Sequence, residues 1–181
     1  MFPEHASVKR AGNPVLPELD SGTMRLYLLR HADALEGAND AGRPLSPKGK
    51  KQARAVGLFL KKAGIQFDVA CSSPLVRARQ SAEIVLATCA PRSKTKVTIA
   101  EALLNETSDF EFACWLKGLP EVGHLLLVGH APTLAQRLGA LLRAPNAEVV
   151  RLPKGGLACL ETEDRREVIL KFFITPRVLG L

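Results

Sequence analysis

The sequence has few aromatic residues, 5% of the total, and no apolar run long enough to cross a membrane. A transmembrane helix needs about 20 consecutive, mostly apolar residues, and no stretch approaches that length. The N-terminal region also has no apolar segment behind a basic start, which is the pattern of a secretory signal. We therefore predict a cytoplasmic protein.

Cysteine is sparse as well, with four widely spaced residues that form no CxxC pair. Each lies among apolar neighbours, which is typical of small buried thiols in a reducing compartment. No His/Cys cluster has the spacing of a zinc site. We expect no disulfide framework, no bound metal and no cofactor. The four residues are Cys71, Cys89, Cys114 and Cys159.

Long runs of like charge are absent, although the formal net charge is +7. Without Lys/Arg runs this excess does not indicate binding to nucleic acid or to a membrane, and a pocket for an anionic substrate explains part of it. The length of 181 residues and the hydrophobic fraction of 46% are those of one globular domain with a sizeable core.

The first 23 residues contain three prolines, two glycines and scattered charges without any period. This composition predicts a poorly ordered extension over residues 1–23, followed by a folded domain over residues 24–181. Since Met24 opens the domain, the alternative is that translation begins there. We expect no chemistry in the extension.

The rest of the chain alternates predicted strands with predicted helices. The mostly apolar segment 24–29 predicts a strand that is buried on both faces. Ser46 and Pro47 are suited to the N-cap and the first position of the helix that follows. Residues 156–161 and 167–174 predict an antiparallel pair of strands. This order indicates a three-layer α/β/α sandwich whose mixed sheet is mostly parallel and has an antiparallel edge strand.

Several predicted strands end in residues that are suited to bind an anion. The first ends in Arg30 and His31, the second leads to Ser73 and Arg77, and another ends at His130. Because the carboxyl ends of parallel strands meet at one edge of a sheet, we expect these side chains to converge. Guanidinium groups bind phosphoryl oxygens, and a neutral imidazole can attack phosphorus. The sequence therefore predicts a phosphoryl-transfer site centred on His31.

These segments resemble the histidine phosphatase superfamily, whose signature is a strand ending in Arg-His-Gly. Here that segment is Arg30-His31-Ala32, and the exchange of Gly for Ala is small. The other matching segments are RPLSPKG at 43–49, SSPLVRA at 72–78 and VGHAP at 128–132, and the likeness spans roughly residues 24–175. Within the superfamily the chain looks most like the SixA type of phosphohistidine phosphatase. The resemblance implies a phosphoglycerate mutase-like fold.

The resemblance also implies the roles of the site residues. His31 would accept the phosphoryl group as nucleophile, Arg30 and Arg77 would bind it, and His130 would complete the pocket. The candidates for substrate binding are Asp40, Arg43 and Ser73, whereas Arg79 lies two residues beyond the motif position and is expected to face away.

A general acid is harder to assign. Larger phosphatases and mutases of the superfamily place a Glu or Asp in the loop after the third strand, where this chain offers Glu101, Glu106 and Asp109. The segment 104–106 loosely resembles the mutase pattern but lacks the aromatic-Gly pair that follows it there. Glu106 is the candidate, and a phosphoramidate substrate makes a strong protein acid less necessary.

The resemblance implies a metal-independent phosphatase that acts on phosphohistidine in a protein, such as a phosphotransfer domain. Two alternatives stay open. One is a phosphatase of small-molecule or other phosphomonoesters that uses the same covalent intermediate, and the other is a phosphate-binding module without turnover. The lack of a large insertion favours an open site that admits a protein side chain. The oligomeric state is not predicted.

Overall fold

The computed structural model describes residues 22–146 and 149–181, so the predicted extension lies almost entirely outside the described residues. Strands and helices alternate as expected from the sequence. The elements are β1 (Met24–Arg30), α1 (Pro47–Lys62), β2 (Val69–Ser72), α2 (Val76–Cys89), β3 (Val97–Ile99), a short 3-10 helix (Glu101–Leu103), α3 (Asp109–Gly118), β4 (His124–Gly129), α4 (Thr133–Leu141), β5 (Leu157–Thr162) and β6 (Ile169–Ile174).

The strands form one six-stranded sheet in the order β3-β2-β4-β1-β5-β6. Strands β1 to β4 are parallel, β5 pairs antiparallel with β1, and the edge strand β6 pairs antiparallel with β5. The predicted mixed sheet with an antiparallel edge is therefore confirmed. Parallel neighbours place their carboxyl ends at the same edge, which is where ligands bind in such sheets.

Strand β1 lies between two hydrophobic cores, one on each face of the sheet. Its residues 26–29 are each 1% exposed or less, so the strand is buried on both faces as predicted. Tyr27 and Leu29 point into a core shared with α1 and α2, whereas Leu26 and Leu28 point into a core shared with α3 and α4. This alternation follows from the two-residue period of a strand, and it confirms the three-layer arrangement.

Helix α1 begins where the sequence predicts. The Ser46 side chain accepts a hydrogen bond from the Gly49 amide, and Pro47 occupies the first helical position. The Ser46 amide in turn donates to the Asp33 carbonyl at 3.0 Å. Gly49 lies so close to Asp33 that a Cβ at this position would overlap the Asp33 carbonyl oxygen. The amino end of α1 is thus held against the loop that follows β1.

One local expectation was wrong. Cys71, Cys89 and Cys159 are buried thiols as predicted, but Cys114 is exposed because α3 turns only Phe112 and Leu116 fully into the core. Pro132 is the N-cap residue of α4. All four cysteines are free. Among the described residues, no helix is both long and apolar enough to span a membrane.

The close approach at Gly49 leads to a stability prediction. Replacing Gly49 with Ala forces a methyl group onto the Asp33 backbone and should lower the free energy of unfolding by roughly 2 kcal/mol or more, measured by urea denaturation. Gly118→Ala is the matched control, because no atom lies within 4 Å of its added Cβ. The control should be neutral or stabilising by up to about 1 kcal/mol. Equal effects of the two substitutions would contradict this account.

Candidate active site

The histidines predicted from two strand ends lie side by side at the carboxyl edge of the sheet. Arg30 and Gly129 are paired in register between β1 and β4. The next residues are His31 and His130, and the His31 amide donates to the Gly129 carbonyl at 3.0 Å. Their ring centroids are 4.9 Å apart. Parallel register therefore brings together two residues that are far apart in the sequence.

The orientation of the His31 ring is set by its own backbone. Its Nδ1 lies 2.8 Å from the Ala32 carbonyl oxygen. Since a carbonyl only accepts hydrogen bonds, Nδ1 carries the proton, and in the neutral ring Nε2 carries the lone pair. The side chain is buried but retains 7% exposure. His31 therefore presents an unprotonated Nε2 as a possible nucleophile.

Ser81, which sequence reasoning missed, supports this segment from helix α2. Its hydroxyl accepts a hydrogen bond from the Ala32 amide at 3.0 Å and donates to the Arg77 carbonyl at 2.7 Å. Ser81 lies one helical turn after Arg77 and is completely buried. The only sequence signal was a small polar residue on the inner face of a helix, which does not distinguish a functional position from a structural one.

His130 and Ser73 form a buried pair beside His31. The Ser73 Oγ lies 2.6 Å from Nε2 of His130. Ser73 follows β2, and its amide donates to the Val128 carbonyl at 3.0 Å, which sets its level in the sheet. The other ring nitrogen of His130, Nδ1, is buried and has no hydrogen-bond partner in the part of the chain that the structure describes. Ser73 thus contacts a predicted site residue.

The two predicted arginines approach from different elements. Arg30, at the end of β1, donates from Nη1 to the Leu152 carbonyl at 3.0 Å. Arg77, in the first turn of α2, donates from Nη1 and Nη2 to the Asp40 carbonyl and carboxylate at 2.7 and 2.9 Å. Both guanidinium groups are thereby held in place by protein acceptors.

Asp40 and Arg43 lie at the rim, as their loop position suggested. The Asp40 carboxylate bridges the two arginines, at 2.9 Å from Nη1 of Arg43 and 2.9 Å from Nη2 of Arg77. These contacts hold the pKa of the Asp40 carboxyl below its usual range, and the hydrogen bond from Arg43 has the largest effect. Asp40 thus connects the rim of the site to the buried arginine.

Lys154 is a second site residue that sequence reasoning missed. It lies in the turn before β5, and its Nζ is 2.8 Å from Oδ1 of Asp33. The next amide, that of Gly155, is 3.1 Å from the carbonyl oxygens of both Arg30 and His31. The Lys-Gly-Gly segment before a predicted strand was the available signal, but it indicates a turn and not a site.

The remaining predicted residues lie further from the histidines or make other contacts. Glu106 is exposed and forms no hydrogen bond or ion pair with the residues that the structure describes. Its neighbour Asn105 donates to the Ala131 carbonyl at 3.4 Å, so this loop lies next to the segment after His130. Asp109 faces Arg137, and Arg79 pairs with Glu83 on an exposed surface, as expected. The role of Glu106 as an acid stays a prediction.

Two unpaired nitrogens distinguish this site from the rest of the core. In residues 22–146 and 149–181, three buried side-chain nitrogens lack a hydrogen-bond partner, namely Arg30 Nε, His130 Nδ1 and Arg137 Nε. The third lies 3.5 Å from an Asp109 carboxylate oxygen. Buried polar groups are nearly always paired, and an unpaired one costs about 1–3 kcal/mol. Two such groups beside His31 indicate a site for a polar ligand.

Burial and nearby cations favour the neutral form of both histidines. Burial lowers the pKa of His31 to about 4, with further contributions from Arg77, Arg30 and Lys154. The pKa of His130 is lowered to about 3, mainly by burial and to a smaller extent by the nearby His31 and Arg77. Both rings are therefore neutral at pH 7, the form in which an imidazole nitrogen can act as a nucleophile. No group of three or more potential metal ligands occurs among the described residues.

A mostly parallel α/β sheet thus brings two neutral histidines and two arginines together at its strand ends, an arrangement suited to phosphoryl oxygens. Residues 26–109 match the model of the histidine phosphatase superfamily, branch 1. An uncharacterized protein of Picosynechococcus sp. is 33% identical over 150 residues, covering 79% of this chain and 88% of the relative. The chain belongs to the histidine phosphatase superfamily, and its enzymatic class is that of a phosphatase.

Comparison with SixA proteins confirms the fold. The phosphohistidine phosphatase SixA of Escherichia coli is 35% identical over 63 residues, which cover 34% of this chain and 39% of the relative. The structure of the protein histidine phosphatase SixA complexed with tungstate superposes with a TM-score of 0.75 at 22% identity, covering 86% of this chain and 99% of that one. The shared fold is the predicted phosphoglycerate mutase-like one.

The lowered histidine pKa values predict destabilisation by acid. Below a pKa of about 6.5 the unfolded chain binds protons at both histidines, whereas the folded protein binds them only near pKa values of about 4 and about 3. Between these limits the free energy of unfolding should fall as the pH falls, by up to about 1.4 kcal/mol per pH unit for each histidine.

Urea denaturation between about pH 7 and pH 4.5 measures this slope. The variant His31→Gln removes one of the two titrating groups and should show a shallower slope than the parent protein. An unchanged slope would mean that His31 does not stay neutral in the folded state.

Proposed function

We propose that this phosphatase removes the phosphoryl group from phosphohistidine in a protein, with His31 as the residue that is transiently phosphorylated. Two observations carry the proposal. Arg30 Nε and His130 Nδ1 are buried without a hydrogen-bond partner among the described residues, and the neighbouring His31 has an unprotonated Nε2. The oxygens of a tetrahedral phosphoryl group can accept hydrogen bonds from Arg30 Nε and His130 Nδ1. Its phosphorus atom is the electrophile that His31 Nε2 attacks.

In the first step, the Nε2 lone pair of His31 forms a bond to phosphorus. The bond between phosphorus and the imidazole nitrogen of the substrate breaks, and its electron pair stays on that nitrogen, which takes up a proton from solvent. Arg30 and Arg77 hold the phosphoryl oxygens. His130 donates from Nδ1 when the Ser73 hydroxyl donates to its Nε2.

In the second step, a water oxygen attacks the phosphorus of phosphorylated His31. The bond from phosphorus to Nε2 breaks, its electron pair returns to Nε2, and the water proton is released to solvent with orthophosphate. One proton is taken up in the first step and one is released in the second, so the cycle balances. The hydrogen bond from Nδ1 to the Ala32 carbonyl keeps the ring in the same tautomer and orientation throughout.

The substrate class is supported by the chemistry of the leaving group. An imidazole nitrogen leaves phosphorus with less help from an acid than an alkoxide does, because it is the less basic leaving group. Glu106 forms no contact in the described residues that would position it as an acid. The Escherichia coli relative is a phosphohistidine phosphatase, which favours the same substrate class here. A phosphotransfer domain in the cytoplasm is the kind of partner that we expect.

Phosphate release from a phosphohistidine peptide and from an aryl phosphate, both without added metal, tests this function. We expect faster release from the peptide. His31→Ala should reduce the rate by at least about 1,000-fold while leaving the circular dichroism spectrum unchanged, because His31 lies at a strand end.

Lys171→Gln is the control, since Lys171 on β6 pairs with Glu161 on β5, away from the end of β1 that carries His31. Preference for the aryl ester would replace the proposal with a general phosphomonoesterase. Full activity in His31→Ala would show that His31 is not the nucleophile. If neither substrate releases phosphate, the alternative of a phosphate-binding module without turnover would replace the proposal.

A further inference from the structure

We propose that Lys154 is a third cationic ligand of the phosphoryl group, in addition to Arg30 and Arg77. The inference rests on the proposed function, because it assigns Lys154 to the oxygens of the group that His31 accepts. It also predicts that the protein binds a free tetrahedral oxyanion through Lys154, which can be measured without any turnover.

The backbone places Lys154 beside the nucleophile. The Gly155 amide lies 3.1 Å from the carbonyl oxygens of both Arg30 and His31, and the Arg30 amide donates to the Gly156 carbonyl at 3.0 Å. Gly155 has a φ of +72°, a conformation that glycine adopts without strain. The residue before it is therefore fixed within one peptide unit of the β1 end that carries His31.

The side chain of Lys154 has donors to spare. Its ammonium group has three N–H donors, and within the described residues its one hydrogen bond is to Asp33 Oδ1, at 2.8 Å. The side chain is 40% exposed, so its head group is not enclosed. A flexible four-carbon stem allows the ammonium group to turn from Asp33 toward an anion above His31.

Asp33 does not depend on Lys154 for its position. Its other carboxylate oxygen, Oδ2, accepts a hydrogen bond from the Ser46 hydroxyl at 2.7 Å, and its amide donates to Gln52 at 2.9 Å. The carboxylate therefore stays in place when Lys154 moves. Asp33 acts as a holding partner that keeps the cation beside the site.

The two arginines are partly engaged by protein acceptors. Nη1 and Nη2 of Arg77 each donate one hydrogen bond to Asp40, and Nη1 of Arg30 donates to the Leu152 carbonyl. Phosphoryl transfer spreads negative charge over three oxygens. Lys154 adds positive charge and two further N–H donors at the same strand end, and its charge also contributes to the lowered pKa of His31.

A purely structural role explains Lys154 less well. Partly exposed ion pairs contribute only about 0–1 kcal/mol to stability. The turn that carries Lys154 is already attached to β1 by the backbone bonds of Gly155 and Gly156. The ion pair with Asp33 therefore adds little to the position of the turn.

The test is calorimetric binding of tungstate to the whole chain and to three variants. Lys154→Gln should weaken tungstate binding by about 10-fold, because it removes one charge-assisted contact. Asp33→Asn should bind tungstate at least as tightly as the parent, because Lys154 is released and the Asn side chain can still accept from Ser46. Lys171→Gln, which breaks the ion pair between β6 and Glu161 on β5, should leave the tungstate affinity unchanged. All variants should unfold at similar temperatures.

If Lys154 only attaches the turn to Asp33, Lys154→Gln and Asp33→Asn will have the same tungstate affinity. That result overturns the inference. Unchanged affinity in Lys154→Gln overturns it directly, as does a parent protein that does not bind tungstate. If the parent binds tungstate but releases no phosphate from a phosphohistidine peptide, the proposed function fails. In that case the tungstate affinities of the variants still decide whether Lys154 is an anion ligand.

Discussion

The parallel pairing of β1 with β4 is the constraint on which the rest of the site depends. Because Arg30 lies opposite Gly129, the two histidines leave the sheet at one level and their rings meet. A shift of one residue in either strand would turn its side chains to the opposite face. The alternating apolar residues of β1 fill two different cores, so such a shift would also bury the wrong side chains. Core packing and site geometry are therefore set by one register.

The site combines stabilising contacts with groups that cost stability. Hydrogen bonds from Ser81, Ser73 and backbone carbonyls orient His31, His130 and Arg77. In contrast, the unpaired nitrogens and the two neutral buried imidazoles are unfavourable for folding alone. Proteins tolerate such local costs where a ligand is to be bound, since the groups must be in place before the ligand arrives.

Two carboxylates each hold cations near His31. Asp40 contacts Arg77 and Arg43, and Asp33 contacts Lys154. Each carboxylate partly neutralises a cation that would otherwise repel its neighbours around His31. The two carboxylates thus reduce the mutual repulsion of the cations that lie near His31.

The sequence by itself determined the order of elements, the start of α1 and the positions of the motif residues. These features depend on short-range patterns, such as the apolar run of β1 and the cap at Ser46 followed by Pro47, which adjacent residues encode. Tertiary structure alone decided that Cys114 is exposed, that Ser81 supports Ala32, and that Lys154 meets Asp33. The last two residues are 121 positions apart, and no local pattern links them. Their contact exists because β5 pairs with β1 and carries its preceding turn to the end of the strand that leads to His31.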